Sequence, residues 1–345
     1  LYVDLPETQR QELAGLVERV RKGTLAIFLG AGVSMSAGLP DWNGLLTKLD
    51  ESAAPASVGF GGLDSALDKA QLLRRRIGDD LGKRVAEIVG GHERYGLSHA
   101  LLAALDCPHA VTTNYDELYE RAVADGHRSA ELHVLPYGAL EPGNPWLVKM
   151  HGDVNHPGDI VLARSDFVGY AAKSGPLGAV VQSLLMTEHL LVVGASLSDD
   201  NFLRLAHEVL AFRSHTLGTV LKFSATNAER ELWGSEFAFI EVSAAGAPSG
   251  ESARRLAIFL DVLAMETTKP SHLLDKRYEE LLSEQEKVLA SRVRDVGTGI
   301  AALSGAAATR WTGIGVVLQH FGARAPEDAP LVQARERGRG WAPRR

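Results

Sequence analysis

The chain has 345 residues, 45% of them hydrophobic, enough to bury a large α/β core and support an appendage besides. Its formal net charge of −7 argues against a primary nucleic-acid binder, which would present a basic face. The single cysteine, Cys107, rules out a disulfide within the chain, and no signal-peptide pattern or bilayer-length apolar run is found, so the composition predicts a cytoplasmic protein with no membrane anchor.

In chain order, the first predicted element is an amphipathic helix over Pro6 to Lys22, with Leu13, Leu16, Val17 and Val20 on one face. Leu25 to Leu29 is an unbroken apolar run that reads as a buried parallel strand, and it breaks at once into a glycine-rich loop and a short helix. Gly30 and Gly32 would let this backbone turn tightly and approach a pyrophosphate, and the free amides that open the helix favour anions. Residues 43–105 are helical in pattern, interrupted by SVGFGGLD at 57–64, and read as an inserted helical subdomain or lid. Arg74, Arg75 and Arg76 within it read as a solvated helix face.

Strands and helices then alternate: HAVTT, a helix from Asp116, WLVKM, DIVLA, a helix through Val181 to Met186, HLLVVG, a helix over Asp199 to Phe212, TVLKFSA and FAFIEVS. A helix over Ser249 to Ala264, capped by Ser249 or Ser252, closes the series. This alternation predicts an α/β fold with a doubly wound, Rossmann-like parallel sheet. Beyond Thr267, the residues Tyr278, Leu281, Leu282, Val288, Leu289, Val293 and Val296 stripe one long helix, followed by a Gly/Ala-rich segment with Trp311 and an arginine-rich tail. The expected division is residues 1–265 for the α/β domain and 266–345 for a C-terminal helical appendage, whose stripe predicts a homo-oligomer.

Four loops carry the chemistry: GAGVS after the first strand, TTNYDELYE at 112–120, KMHGD at 149–153 and VVGASLSDDN at 192–201. Each follows an apolar run, and in an open parallel sheet such loops converge outside the carboxyl ends of the strands. Asn114 offers a neutral amide that both donates and accepts, and His151 supplies an imidazole, the side-chain type suited to taking a proton near neutral pH, with Gly152 beside it leaving room for a ligand. A plainer reading makes Asn114 and Asp116 an Asx turn at a strand end. His151, Asp153, His156 and Asp159 have metal-ligand side chains, but their spacing fits no ligand pattern, so no metal is expected. GASLS is not the GxSxG elbow of hydrolases, no GxxxxGK[ST] loop occurs, and GAGVSM lacks the third glycine of a dehydrogenase fingerprint.

The motifs GAGVS, AGLPDW, TTNYD, HGD and GASLSD, in this order, resemble those of the sirtuin-like NAD-binding family over roughly residues 20–265. The resemblance implies that NAD binds, with Asn114 holding the ribose and orienting the attacking water, His151 accepting a proton, and Asp116 facing the nicotinamide carboxamide. It also implies that Ser34 and Ser196 hold phosphate or the adenine-side ribose, that Asp199 and Asn201 contact ribose or cap a helix, and that Asp41 and Trp42 wall the nicotinamide pocket. Gly30, Ala31, Gly32, Thr113 and Gly194 complete the implied cofactor-binding set. Two departures bear on the reaction. The chain lacks the two CxxC pairs that hold zinc in deacylating sirtuins, and Asn43 stands where the family has an arginine after the aromatic residue. These departures resemble the bacterial sirtuin-like effectors of antiphage defence, which implies hydrolysis of NAD to nicotinamide and ADP-ribose, and a partner such as a HerA-type translocase or an Argonaute. A zinc-free NAD-dependent deacylase and a non-catalytic NAD or ADP-ribose-binding regulatory subunit remain the alternatives.

Overall fold

The structure, a computed structural model, describes residues 5–53, 59–126, 131–139, 143–212, 216–268 and 273–321. The chain divides into two compact units, Leu1–Thr267 and Thr268–Arg345. In the first, α1 (Glu7–Arg21) buries Leu13, Leu16 and Val17 and leads into β1 (Leu25–Leu29), all five residues of which are buried. A one-residue turn at Gly30 passes into α2 (Ala31–Met35). Three helices follow, α3 (Trp42–Ser52), α4 (Ala66–Ile77) and α5 (Leu81–Val89), and then α6 (Leu97–Ala104). The remaining elements are β2 (His109–Thr112), α7 (Leu118–Asp125), β3 (His133–Leu135), β4 (Trp146–Lys149), α8 (Arg164–Thr187), β5 (His189–Val193), α9 (Asp200–Leu210), β6 (Gly218–Lys222), α10 (Asn227–Trp233), β7 (Phe237–Glu241) and α11 (Ser249–Thr267).

The seven described strands form one sheet in the order β3-β4-β2-β1-β5-β6-β7, and every pairing is parallel. Because strand side chains alternate, Leu25, Ile27 and Leu29 pack on the face covered by α1, α6, α7 and α11, while Ala26 and Phe28 pack on the face covered by α8 and α9. Burial on both faces explains why the strands read as continuous apolar runs. Chain direction across the sheet reverses at β1, with β2 on one side and β5 on the other, so the crevice of a doubly wound sheet lies between the loops after β1 and β5.

The helices of residues 43–105 are divided between two cores. Helices α3, α4 and α5 share a core of their own, with Leu46, Leu49, Leu73, Leu81 and Val85 packed against Tyr115, Leu118, Ile160 and Leu162, whereas Leu102 and Ala103 of α6 belong to the sheet's flank. Arg74 and Arg76 are not a free solvated face. Arg74 meets the Asp166 carboxylate at 2.7 Å and Arg76 meets Asp50 at 2.7 Å, two buried acids that need a countercharge.

DIVLA is not a strand. Its backbone bonds go elsewhere: the Val161 amide donates to the His151 carbonyl at 2.9 Å, and those of Leu162 and Ala163 donate to Asp166 Oδ2 at 3.1 and 2.9 Å. The edge strand is instead β3, which the sequence reading passed over. The helix expected around Val181 begins far earlier, at Arg164, and bends at Ser174 (φ −115°, ψ 21°) two residues before Pro176. Ser252 does not cap α11, since its hydroxyl donates to Ser243 Oγ at 3.0 Å.

In the second unit, residues Lys276–Leu281 form a 3-10 turn, followed by α12 (Glu284–Ala301) and α13 (Gly305–His320). The single long helix expected there is broken because Ser283 and Glu286 form a reciprocal capping box that starts α12 afresh. Leu274, Leu282 and Ala290 make a small core with Val293, Leu318 and Phe321. Tyr278, Leu281, Val288, Leu289 and Val296 of the expected stripe are exposed. The arginine-rich tail lies outside the described residues. No described helix is long and apolar enough to cross a membrane.

Candidate functional site

The loops after β1, β2, β4 and β5 meet at one sheet edge and surround a cleft of about 430 Å³. Of the predicted residues, Gly30, Ala31 and Ser34 line it from the first loop, Thr113, Asn114 and Asp116 from the second, and His151 from the third. Gly194, Ser196 and Asp199 line it from the fourth, and Asp41 and Trp42 from the start of α3. Gly32 and Asn201 do not line it. Asn201 is buried in the first turn of α9, and its Nδ2 has no partner among the described residues.

The glycines serve a different end from the one expected. A Cβ on Gly30 would lie 2.4 Å from the Gly194 carbonyl oxygen, one on Gly32 would lie 2.9 Å from Gly194 Cα, and one on Gly194 (φ +71°) would lie 2.5 Å from the Val33 nitrogen. The first and fourth loops thus press backbone to backbone, stitched by the amides of Gly30 and Gly32, which donate to the Val193 and Gly194 carbonyls at 2.9 Å each. The Gly32 amide is therefore spent within the protein rather than offered to a phosphate. Gly152 likewise leaves no room for a ligand, because a Cβ there would lie 2.6 Å from the Asp159 carbonyl oxygen.

Asn114 is held by a hydrogen-bond network whose proton positions can be worked out atom by atom. The Gly96 amide donates to His99 Nδ1 at 3.2 Å, so that nitrogen is the acceptor and Nε2 carries the proton toward Ser34 Oγ, 3.3 Å away. Ser34 donates its one proton to Asp116 Oδ2 at 2.8 Å and accepts from Asn114 Nδ2 at 3.0 Å. The second Nδ2 proton of Asn114 goes to the Gly30 carbonyl at 3.1 Å. Both amide protons are committed, and Oδ1 of Asn114 is left to accept from water or a ribose hydroxyl. His99 is buried, and desolvation, against the opposing charge of Asp116, pulls its pKa below the usual histidine value, which keeps the ring neutral as the network requires.

Asp116 spends its other oxygen on the Leu118 amide at 3.0 Å, the Asx turn that opens α7. Asp41 caps α3 by accepting from the Gly44 amide at 2.7 Å, and Ser196 meets Ser198 Oγ at 2.6 Å. His151 is 1% exposed, with the rings of Phe167 and Tyr170 edge-on to it at 5.2 and 6.2 Å. Its Nε2 lies 3.1 Å from Asp199 Oδ2 but off the line of a ring N–H bond, a close contact rather than a formed hydrogen bond. Burial raises the Asp199 carboxyl, but the His151 ring, where protonated, and the amides of Phe202 and Asn201 outweigh it and hold the pKa below the ordinary carboxylate value. Asp199 is also the N-cap of α9, with Oδ1 accepting from the Phe202 amide at 2.8 Å.

The sequence reading missed three contributors. Lys149, at the end of β4, is fully buried and donates to the carbonyls of Tyr115 and Asp116 at 3.2 and 2.6 Å, to Glu120 at 2.9 Å and to Asp153 at 2.5 Å, tying the second loop to the third. A lysine inside the apolar run WLVKM was the available signal. Phe167 packs against both Trp42, at 6.5 Å, and His151, and nothing in its own segment marked it. His99 sits on α6, in the stretch taken for the lid. Among the described residues, no group of three His, Cys, Asp or Glu side chains is placed to hold a metal ion.

Residues 108–238 match the family profile described as the SIR2-like domain. The NAD(+) hydrolase ThsA of Enterococcus faecium is 30% identical over 205 residues, which cover 56% of this chain and 41% of the relative. The NAD(+) hydrolase ThsA of Bacillus cereus (strain MSX-D12) is 30% identical over 193 residues, 53% of this chain and 39% of that one. The defense-associated sirtuin 2 of Bacillus subtilis is 26% identical over 196 residues, 54% and 19% of the two chains. The chain thus spans less than half the length of these curated relatives. A solved structure concerned with the mechanism and regulation of Sir2 enzymes aligns with 76% of this chain and 100% of its own at 14% identity, with a TM-score of 0.43. Residues 108–238 are thus similar to a SIR2-like domain.

Proposed function

We propose that this protein hydrolyses NAD at the bond between nicotinamide and ribose, releasing nicotinamide and ADP-ribose, and that it acts in the bacterial cytoplasm as an NAD-depleting effector of antiphage defence. The observation that carries the reading is the convergence of Asn114 and His151 on one cleft, with the Asn114 amide protons committed and its carbonyl free. Cleavage of an N-glycosidic bond passes through an oxocarbenium-like state, so the site must position water and remove its proton. Asn114 Oδ1 is suited to hold water or a ribose hydroxyl, and His151 to take the proton. Relatives named NAD(+) hydrolase and defense-associated sirtuin support the same reading. In this proposal residues 1–265 carry the chemistry, Trp42 and Phe167 wall the nicotinamide end, and residues 266–345 mediate self-association through the exposed stripe, beside a partner such as a HerA-type translocase or an Argonaute.

The test is incubation of the purified protein with NAD and separation of the products. Asn114→Ala and His151→Ala should each lower cleavage by about 10²-fold or more while the melting temperature holds. Wild-type turnover in either folded variant removes that residue from the mechanism, and release of nicotinamide only in the presence of an acyl-lysine peptide would favour the deacylase.

A further inference from the structure

We propose that Asp199 is the positioning residue for His151, its carboxylate holding the Nε2 edge of the ring so that Nδ1 is the nitrogen that takes the proton from water. This rests on reading the cleft as the site of NAD hydrolysis. The two oxygens of Asp199 are used differently: Oδ1 is fixed by the Phe202 amide at 2.8 Å as the cap of α9, and Oδ2 stands 3.1 Å from His151 Nε2. The start of a helix thereby sets the position of a charge beside the imidazole. Neither ring nitrogen of His151 has a hydrogen-bond partner among the described residues, and the rings of Phe167 and Tyr170 that box it in present edges and faces rather than acceptors. Catalytic hydrogen bonds in unliganded sites are often misaligned and tighten when substrate arrives, so a 3.1 Å contact off the N–H line is what a bond poised to form looks like.

The other ionisable groups around the ring are less suited to this task. From the loop after β2, Asp116 is committed to Ser34 and Leu118, and burial raises the pKa of the Tyr115 phenol, as the Asp199 charge does too. From α8, burial and then Asp199 raise the Tyr170 phenol in the same way. Asp41 caps α3 across the cleft, and Asp200, beside Asp199, lines the same cleft without a recorded contact to His151. Asp199 is the carboxylate in contact with the ring.

In the step itself the C1′–N bond of NAD breaks and its electron pair leaves with nicotinamide, while the water oxygen bonds to C1′ and gives its proton to His151 Nδ1. The imidazolium formed has Nε2–H directed at Asp199. It then passes the proton to solvent, so that NAD and water yield nicotinamide, ADP-ribose and one proton.

Asp199→Asn keeps a capping oxygen but removes the charge, and Asp199→Ala removes both. In the full chain, Asp199→Asn should lower kcat for NAD cleavage by about 10²-fold with KM and melting temperature near wild type. Asp199→Ala should lose as much kcat and melt earlier. An unchanged kcat in folded Asp199→Asn overturns the proposal, and a raised KM at unchanged kcat makes Asp199 a ribose contact instead. A readout independent of NAD is the titration of the Asp199 side chain followed by carbon NMR of aspartate-labelled protein. The wild-type carboxyl should titrate below the ordinary range, and His151→Gln should move it up. No movement overturns the contact. A wild-type protein that fails to cleave NAD removes the functional reading, while this titration still decides the pairing.

Discussion

Replacing Lys149 by methionine tests how the site is anchored. The lysine is out of contact with water and shares its three protons among four acceptors: the backbone carbonyls of Tyr115 and Asp116 and the carboxylates of Glu120 and Asp153, at 3.2, 2.6, 2.9 and 2.5 Å. Methionine fills much of the same volume, so the loss is electrostatic rather than a cavity. It leaves the buried Asp153 and the partly buried Glu120 without their cation, and breaking a buried ion pair by removing one partner typically costs about 3–5 kcal/mol. At roughly 2–4 °C per kcal/mol for a domain of this size, Lys149→Met should melt about 6–20 °C below wild type at neutral pH. The pH dependence has a definite sign. Burial raises the Glu120 carboxyl above its usual value, with Lys149 opposing, and without the lysine it should rise further. A carboxyl whose folded-state pKa is raised favours the fold below its unfolded-state pKa and loses that contribution as pH climbs through the folded value. The gap between variant and wild type should therefore narrow when the pH is lowered from 7.5 to 5, as the raised carboxyl takes up its proton. Adding Glu120→Gln and Asp153→Asn should recover most of the melting temperature, since neutral partners no longer need the cation. Cleavage of NAD should fall in the single variant, because the carbonyls that Lys149 grips directly follow Asn114. Calorimetric melts at the two pH values decide the matter: a shift under about 2 °C at neutral pH, or a gap that widens on acidification, refutes the reasoning.

Three further outcomes follow from the same geometry. Gly194→Ala places a Cβ 2.5 Å from the Val33 nitrogen at φ +71°, so about 1–3 kcal/mol of strain should appear as a lower urea midpoint, and a wild-type midpoint would mean that the two glycine loops are not packed as described. Ser34→Ala leaves the Asp116 carboxylate and the Asn114 amide short of a buried partner; a loss of about 1–3 kcal/mol in urea unfolding, together with slower NAD cleavage, is expected, and unaffected stability would sink the network. Ending the chain after Thr267 removes the exposed Leu281, Val288 and Leu289 and should lower the number of chains per assembly in light scattering, whereas an unchanged number assigns any oligomer to another surface.

The sheet was legible because its signal is local. Strands covered by helices on both faces must be apolar at every position, so Leu25–Leu29 and His189–Val193 stand out without any knowledge of their partners. The cleft was legible for a topological reason, since loops after parallel strands share one edge whatever the strand order. What failed was what tertiary hydrogen bonds decide. Residues 160–163 are as apolar as a strand and nearly as extended, but their amides are claimed by His151 and by Asp166, and no property of the segment itself announces that. The break before α12 was there to be read, because Ser283 followed by Glu286 is a capping box in sequence as well as in space.

The same distinction separates what the motifs disclosed from what they concealed. Motif residues converge on the cleft, but a glycine carries no record of what it lies against, and Gly30, Gly32 and Gly152 prove to accommodate the protein's own backbone. This bears on how Asn114 and His151 come together. Asn114 is oriented by atoms of the first loop, through Ser34 and the Gly30 carbonyl, and His151 meets Asp199 of the fourth. Those two loops are locked by the contacts of Gly30 and Gly32 with Gly194, while Lys149 locks the second loop to the third. Each of these two side chains thus meets a loop other than its own. A change at Gly194 or Lys149, neither of which is assigned a chemical step, should therefore disturb the Asn114 to His151 geometry as surely as a change in the network itself.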